Sequence, residues 1–60
     1  MVKVMSTILI IDDQKPIRNA LREILEFEGF EIDDAENGKE GFEKATSTVF
    51  DLIFCDIKMP

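Results

Sequence analysis

Two short apolar runs, Thr7-Ile-Leu-Ile-Ile11 and Leu52-Ile-Phe-Cys55, each stop abruptly at aspartate: Asp12-Asp13 follows the first and Asp56 the second. Continuous apolar runs of this length, the first of them rich in β-branched residues, suit strands covered on both faces, as in a parallel sheet. The chain between them reads differently. Ile17, Ala20, Leu21, Ile24 and Leu25 fall at i, i+3, i+4, i+7 and i+8, one face of an α-helix. Pro16 suits the first turn of that helix and Gly29 its C-terminal cap. Arg18, Arg22, Glu23 and Glu26 are left for the solvent face, with Arg22 and Glu26 one turn apart.

Phe30-Glu-Ile-Asp33 alternates apolar and polar residues and predicts a second, half-exposed strand. Glu36-Asn-Gly38 is turn chemistry. A second helix is expected from Lys39 to about Ser47, with Phe42 and Ala45 inward and Gly41 weakening it by ~1 kcal/mol relative to alanine. The order β-α-β-α-β implies an α/β fold with a parallel sheet and right-handed crossovers. Val2 and Val4 alternate with Lys3, so residues 1–6 form either a tail or an extension of the first strand.

Sixty residues allow one folding unit, and a chain this short buries only about 60% of its unfolded surface. With a single cysteine, Cys55, no disulfide can close within the chain. Hydrophobic residues make up 45% and charged residues 33%, a globular rather than a disordered balance. Thirteen acids against seven bases leave a net charge of -6, which argues against a nucleic-acid or acidic-membrane surface. The absence of histidine removes imidazole catalysis and imidazole ligation. The longest early apolar run is too short for a secretory core or a membrane span. A cytoplasmic, soluble chain is therefore expected.

The three strand-end aspartates are the chemical signal. In a parallel sheet the first and third strands end on the same edge, where ligand sites of such folds lie. One aspartate there is ordinary loop or cap chemistry. An adjacent pair joined by a third from another strand is less easily explained that way. Converging carboxylates repel, and a hard divalent cation such as Mg²⁺, which prefers oxygen ligands, would relieve them.

Ile10-Ile-Asp-Asp13 followed by Ile17-Arg18, then Glu36-Asn-Gly-Lys-Glu40, then Phe50-Asp-Leu-Ile-Phe-Cys-Asp-Ile-Lys-Met-Pro60, together resemble a response-regulator receiver domain of two-component signalling. The resemblance runs from Thr7 to the end of the chain. It implies the first three strands and two helices of a flavodoxin-like, doubly wound parallel sheet, in a family whose strand order is 2-1-3-4-5. It implies Asp56 as phosphoacceptor, and Asp12, Asp13, Asp56 and the backbone carbonyl of Lys58 as Mg²⁺ ligands. The implied partner is a histidine kinase or phosphotransfer protein. Residues 7–60 would then be a truncated receiver. The family's second half, which carries a Ser/Thr and a Lys that contact the phosphoryl group, has no counterpart in these residues. Phosphotransfer is accordingly expected to be impaired, and the chain is expected to be a phosphoacceptor module rather than an enzyme.

Other site patterns fit less well. A haloacid-dehalogenase-like phosphatase wants two aspartates two residues apart, whereas Asp12 and Asp13 are adjacent and Asp56 is followed by Lys58. An EF-hand over Asp33–Lys44 would place Ala35 and Lys44 at ligand positions. Asn37-Gly38-Lys39 lacks the flanking residues of a P-loop. The alternative of a different class is a non-signalling fragment that folds by self-association. A third strand left as an open apolar edge would recruit a second copy, giving a homodimer or higher oligomer. Cys55 is expected as a buried small hydrophobe, Phe27 and Phe30 as core edge, Phe42, Phe50 and Phe54 as core, and the acidic run Glu31–Glu36 as a solvated face.

Overall fold

The computed structural model describes residues 6–56. The proposed extension through Val2 and Val4, and the segment with Lys58, lie outside them. Five elements follow in order: β1 (Thr7–Asp12), α1 (Lys15–Phe27), β2 (Glu31–Ala35), α2 (Gly38–Ser47) and β3 (Leu52–Asp56). The sheet is parallel throughout, with order β2-β1-β3. The expected α/β class and element order therefore hold, with boundaries displaced by a residue or two.

Local chemistry sets those boundaries. Pro16 occupies the first turn of α1, where a missing N–H costs nothing. At the other end Gly29 takes φ +98°. Its N–H donates to the carbonyl of Glu26 at 3.0 Å, and that of Phe30 donates to Leu25 at 3.1 Å. This is the Schellman pattern, which needs a left-handed residue at Gly29. Asn37 caps α2, its side-chain oxygen accepting the Glu40 N–H at 2.7 Å.

β1 is the centre of the molecule. Ile8, Leu9, Ile10, Ile11 and Ala35 form the buried apolar set. Register pairs Leu9 with Asp33 and Ile11 with Ala35 on one face, and Ile8 with Ile32 and Ile10 with Asp34 on the other. α2 packs on the first of these faces: Leu9, Ile11 and Ala35 cluster with Ala45 and Phe50. A Cβ added to Gly41 would run into the Ile11 side chain, 2.7 Å from its Cγ1 and nearer still to its Cδ1. Gly41 is thus the point of closest approach between α2 and β1. α1 covers the opposite face, resting on β1 and β2.

Several sequence expectations are corrected by one fact: both helices rest on β1 and β2, and neither rests on β3. β3 is exposed along its whole length, with Leu52 56%, Ile53 46% and Phe54 44% exposed, so neither Phe54 nor Cys55 is core. On α1 the half-buried line is Leu21 and Leu25, while Ile17, Ala20 and Ile24 are exposed. The helix leans toward β2, which turns Arg18 and Arg22 inward to the sheet and leaves Ile17 and Ile24 on the open flank. Phe27 and Phe42 are exposed as well among the described residues. Phe30 and Phe50 are half-buried.

The acidic run is not a uniform solvated face. Asp34, on the α1 side of β2, pairs with Arg18 Nε at 3.4 Å and Arg22 Nη1 at 3.3 Å. Asp33, on the α2 side, accepts from Lys44 Nζ at 2.9 Å. Lys44 also donates to the carbonyl of Asp34. The Arg22–Glu26 pair expected from helical spacing is present at 3.1 Å.

Candidate functional site

The acidic rim is built at the C-terminal ends of β1 and β3. Chain order and sheet order diverge there. β1 leads through α1 to β2 on one side, and β2 leads through α2 to β3 on the other. Open α/β sheets bind ligands at this kind of switch point. Asp12 and Asp56 are register partners on adjacent parallel strands. The pleat places both on the α1 face of the sheet. Asp13 is the next residue after β1 and is exposed.

Asp12 is the organised member. It is only 1% exposed, and its Oδ1 accepts the Gln14 N–H at 2.9 Å. That bond turns the chain from strand into helix and fixes the carboxylate. Arg18 Nη1 donates to the Asp12 carbonyl at 2.9 Å. Asp12 Oδ2 is buried with no hydrogen-bond partner among the described residues. A buried carboxylate oxygen without a partner is costly, so something outside the described atoms should satisfy it. Asp56 is exposed at the rim.

These donors are all oxygen, which suits a hard cation that keeps part of its water shell. Among the described residues no three acid or cysteine side chains stand close enough to form a metal cluster by themselves. The fit of Mg²⁺ therefore rests on the buried, unpartnered Oδ2 of Asp12 and the carboxylate of Asp56 beside it. Asp13 stands at the margin, and the Lys58 carbonyl is outside the described residues. No enclosed cavity lies among the described residues, and the site is an open rim.

Sequence reasoning missed the basic side of this site. Arg18 and Arg22 were expected in solvent and Asp34 in a solvated run, yet the three form one network that reaches the Asp12 backbone. Two signals pointed to it. Arg18 follows the aspartate pair by little more than one helical turn, and Asp34 lies in β2 at period two from Ile32. Away from the rim, burial pushes the Asp33 carboxyl upward, but the Lys44 ammonium and the Asp34 N–H outweigh it and hold it below the usual carboxylate range. The hydrogen bond that Arg22 donates to Glu26 is the main cause that raises Arg22; burial lowers it, and Asp34 adds to the rise.

Residues 8–60 match the family model of the response regulator receiver domain. The chain belongs to that family. It is 47% identical over 53 residues to the transcriptional regulatory protein ResD of Bacillus subtilis, covering 88% of this chain and 22% of that protein. It is 43% identical to the transcriptional regulatory protein SrrA of Staphylococcus aureus over the same shares. The structure superposes on that of the Vibrio cholerae chemotaxis protein CheY4 with a TM-score of 0.88 and 35% identity, over 95% of this chain and 48% of that one. The chain thus spans about half the length of that solved receiver and 22% of the curated regulators. The flavodoxin-like architecture and the place of the chain in two-component response regulation follow from these matches. No described helix is long and apolar enough to cross a membrane.

Proposed function

We propose that this chain is the phosphoacceptor segment of a cytoplasmic two-component receiver, with residues 7–60 acting as one unit. Asp56 takes a phosphoryl group from a phosphohistidine on a histidine kinase or phosphotransfer protein. The observation that carries this reading is the pairing of Asp56 with Asp12 across β1 and β3, beside a buried Asp12 oxygen that lacks a partner. In the transfer a carboxylate oxygen of Asp56 bonds to phosphorus and the phosphorus–nitrogen bond of the donor breaks. The electron pair of that bond leaves with the imidazole, and the product is an acyl phosphate. Transfer of this kind needs positioning and charge neutralisation more than covalent help. Asp12, Asp13, Asp56 and the Lys58 carbonyl would hold Mg²⁺, which supplies that neutralisation when bound. The chain acts as an acceptor and not as a turnover enzyme.

The second reading, a structural segment that self-associates, is favoured by the bare face of β3. The two readings are compatible if β3 pairs with β3 of a second copy. Treatment with a small phosphodonor and Mg²⁺, followed by intact mass, tests the first. The expected result is a Mg²⁺-dependent gain of one phosphoryl group that Asp56→Asn abolishes. No gain, together with no Mg²⁺ binding and a concentration-dependent sedimentation coefficient, would leave only the structural reading.

A further inference from the structure

The guanidinium of Arg18 is an unusual neighbour for a carboxylate site meant for a cation. A positive charge there opposes a divalent ion by simple Coulomb repulsion. Its side chain is nevertheless only 14% exposed, and it is held in place from both ends. Nη1 donates to the Asp12 carbonyl at 2.9 Å, while Nε faces Asp34 Oδ2 at 3.4 Å. The Nε contact is an ion pair without an aligned hydrogen bond, since Nε is buried without a hydrogen-bond partner. Asp34 is itself steadied by Arg22 Nη1 at 3.3 Å. Asp34 sits on β2, Asp12 on β1 and Arg18 on α1, so one planar group ties three elements together at the rim.

We propose that Arg18, held by Asp34, is a positioning residue of the site: it fixes the Asp12 peptide and so aims the free Asp12 oxygen, acting on cation binding without touching the cation. The proposal rests on the reading of the aspartates given above. The division of labour follows from the two bonds on Asp12. Gln14 N–H fixes Oδ1 from the loop side, and Arg18 fixes the carbonyl from the helix side. With the carbonyl and Oδ1 both engaged, Oδ2 is the one oxygen of Asp12 left to give. Asp34 keeps the guanidinium occupied on the β2 side, where it cannot swing onto the carboxylates and compete with a cation. Outer groups that orient ligands change metal affinity by about 10–100-fold when removed.

The sign of the effect separates positioning from charge. If Arg18 acted only through its charge, Arg18→Met would tighten Mg²⁺ binding and Arg18→Lys would leave it unchanged. Positioning requires the reverse: Arg18→Met weakens Mg²⁺ about 10-fold, and Arg18→Lys also weakens it, because an ammonium cannot replace the planar fork. Asp34→Asn, which leaves Arg18 present but unheld, weakens it by less. Glu23→Gln, at an exposed position of α1 outside this network, leaves Mg²⁺ affinity within about twofold of the parent. Affinity is read from the amide shifts of Asp12, Asp13 and Asp56 during Mg²⁺ titration of the chain. The same spectra show which variants are folded. Should Arg18→Met fail to fold, Arg18→Lys and Asp34→Asn carry the test. Folded Arg18 or Asp34 variants that bind Mg²⁺ as well as or better than the parent would overturn the proposal and leave the site reading intact. A parent chain that binds no Mg²⁺ would overturn both.

Discussion

β1 and β3 carry similar apolar runs, yet one is sealed and the other bare. Ile8 to Ile11 lie between two helices, whereas among the described residues no helix rests on Leu52 to Cys55. Hydrophobicity thus made both segments strands, but covering elements decided which became core. The candidate site straddles the boundary. Asp12 comes from the sealed strand, buried and doubly bonded, and Asp56 from the open one. The rim therefore joins a fixed carboxylate to a solvent-facing one.

The contrast is broken most strongly at β1. Leu9→Ala should cost ~2–5 kcal/mol, against a total of on the order of 3–9 kcal/mol for a chain of this size. Ile53→Ala on β3, at 46% exposure, should cost ~1 kcal/mol or less. Urea denaturation followed by circular dichroism measures both. Equal losses would mean that β3 is covered in solution, as a paired edge would make it.

A smaller effect sharpens the comparison on the α2 side. Gly41→Ala improves helix propensity by ~1 kcal/mol, but its methyl group meets the Ile11 side chain. Overpacking of that kind costs ~1–3 kcal/mol, so a net loss of ~0–2 kcal/mol is expected in the same denaturation assay. A gain would show that α2 stands further from β1 than described.

The smallest effect concerns acid. Asp33 is held below the usual carboxylate range in the folded chain, so it favours the fold fully above the ordinary carboxyl value. That contribution fades as the pH falls through the lower, folded value. Asp33→Asn should remove this part of the acid dependence, a change within the ~0–1 kcal/mol of exposed ion pairs. Thermal midpoints of parent and variant, followed from neutral pH downward, should converge at the acid end. A constant gap between them at every pH would assign the stability to something other than the Asp33 charge.

The element order was legible in the sequence because its periods are distinct: short apolar runs for the strands, a 3.6-residue stripe for α1, and alternation for β2. The rim was legible because aspartate directly after an apolar run is an unusual stop. Burial was less legible. Periodicity identifies an apolar side of a helix, but not how far the helix rolls on its sheet. Ile17, Ala20, Ile24, Phe27 and Phe42 were read as inward or core edge and are exposed, while Leu21 and Leu25 took the contact. Gly41 looked like a weakness of α2, since a single chain of letters does not show that Ile11 lies under it. Arg18, Asp34 and Arg22 were assigned to water for the same reason. Their pairing joins residues of different elements, and no local pattern encodes it.

At the base of the sheet, far from the rim, Asp51 clasps Thr7. Its carboxylate accepts the Thr7 N–H at 2.9 Å, and its own N–H donates to the Thr7 carbonyl at 2.8 Å. Side chains along a strand alternate, so a slip of one residue exchanges every neighbour across the ladder. With Thr7 and Asp51 locked, Ile11 lies beside Cys55 and Asp12 beside Asp56. Slipped by one, Asp12 would face the thiol of Cys55, a soft group with little affinity for a hard cation. An aspartate that never approaches the rim thus selects which functional group arrives there, as a key at one end of a lock sets the bolt at the other.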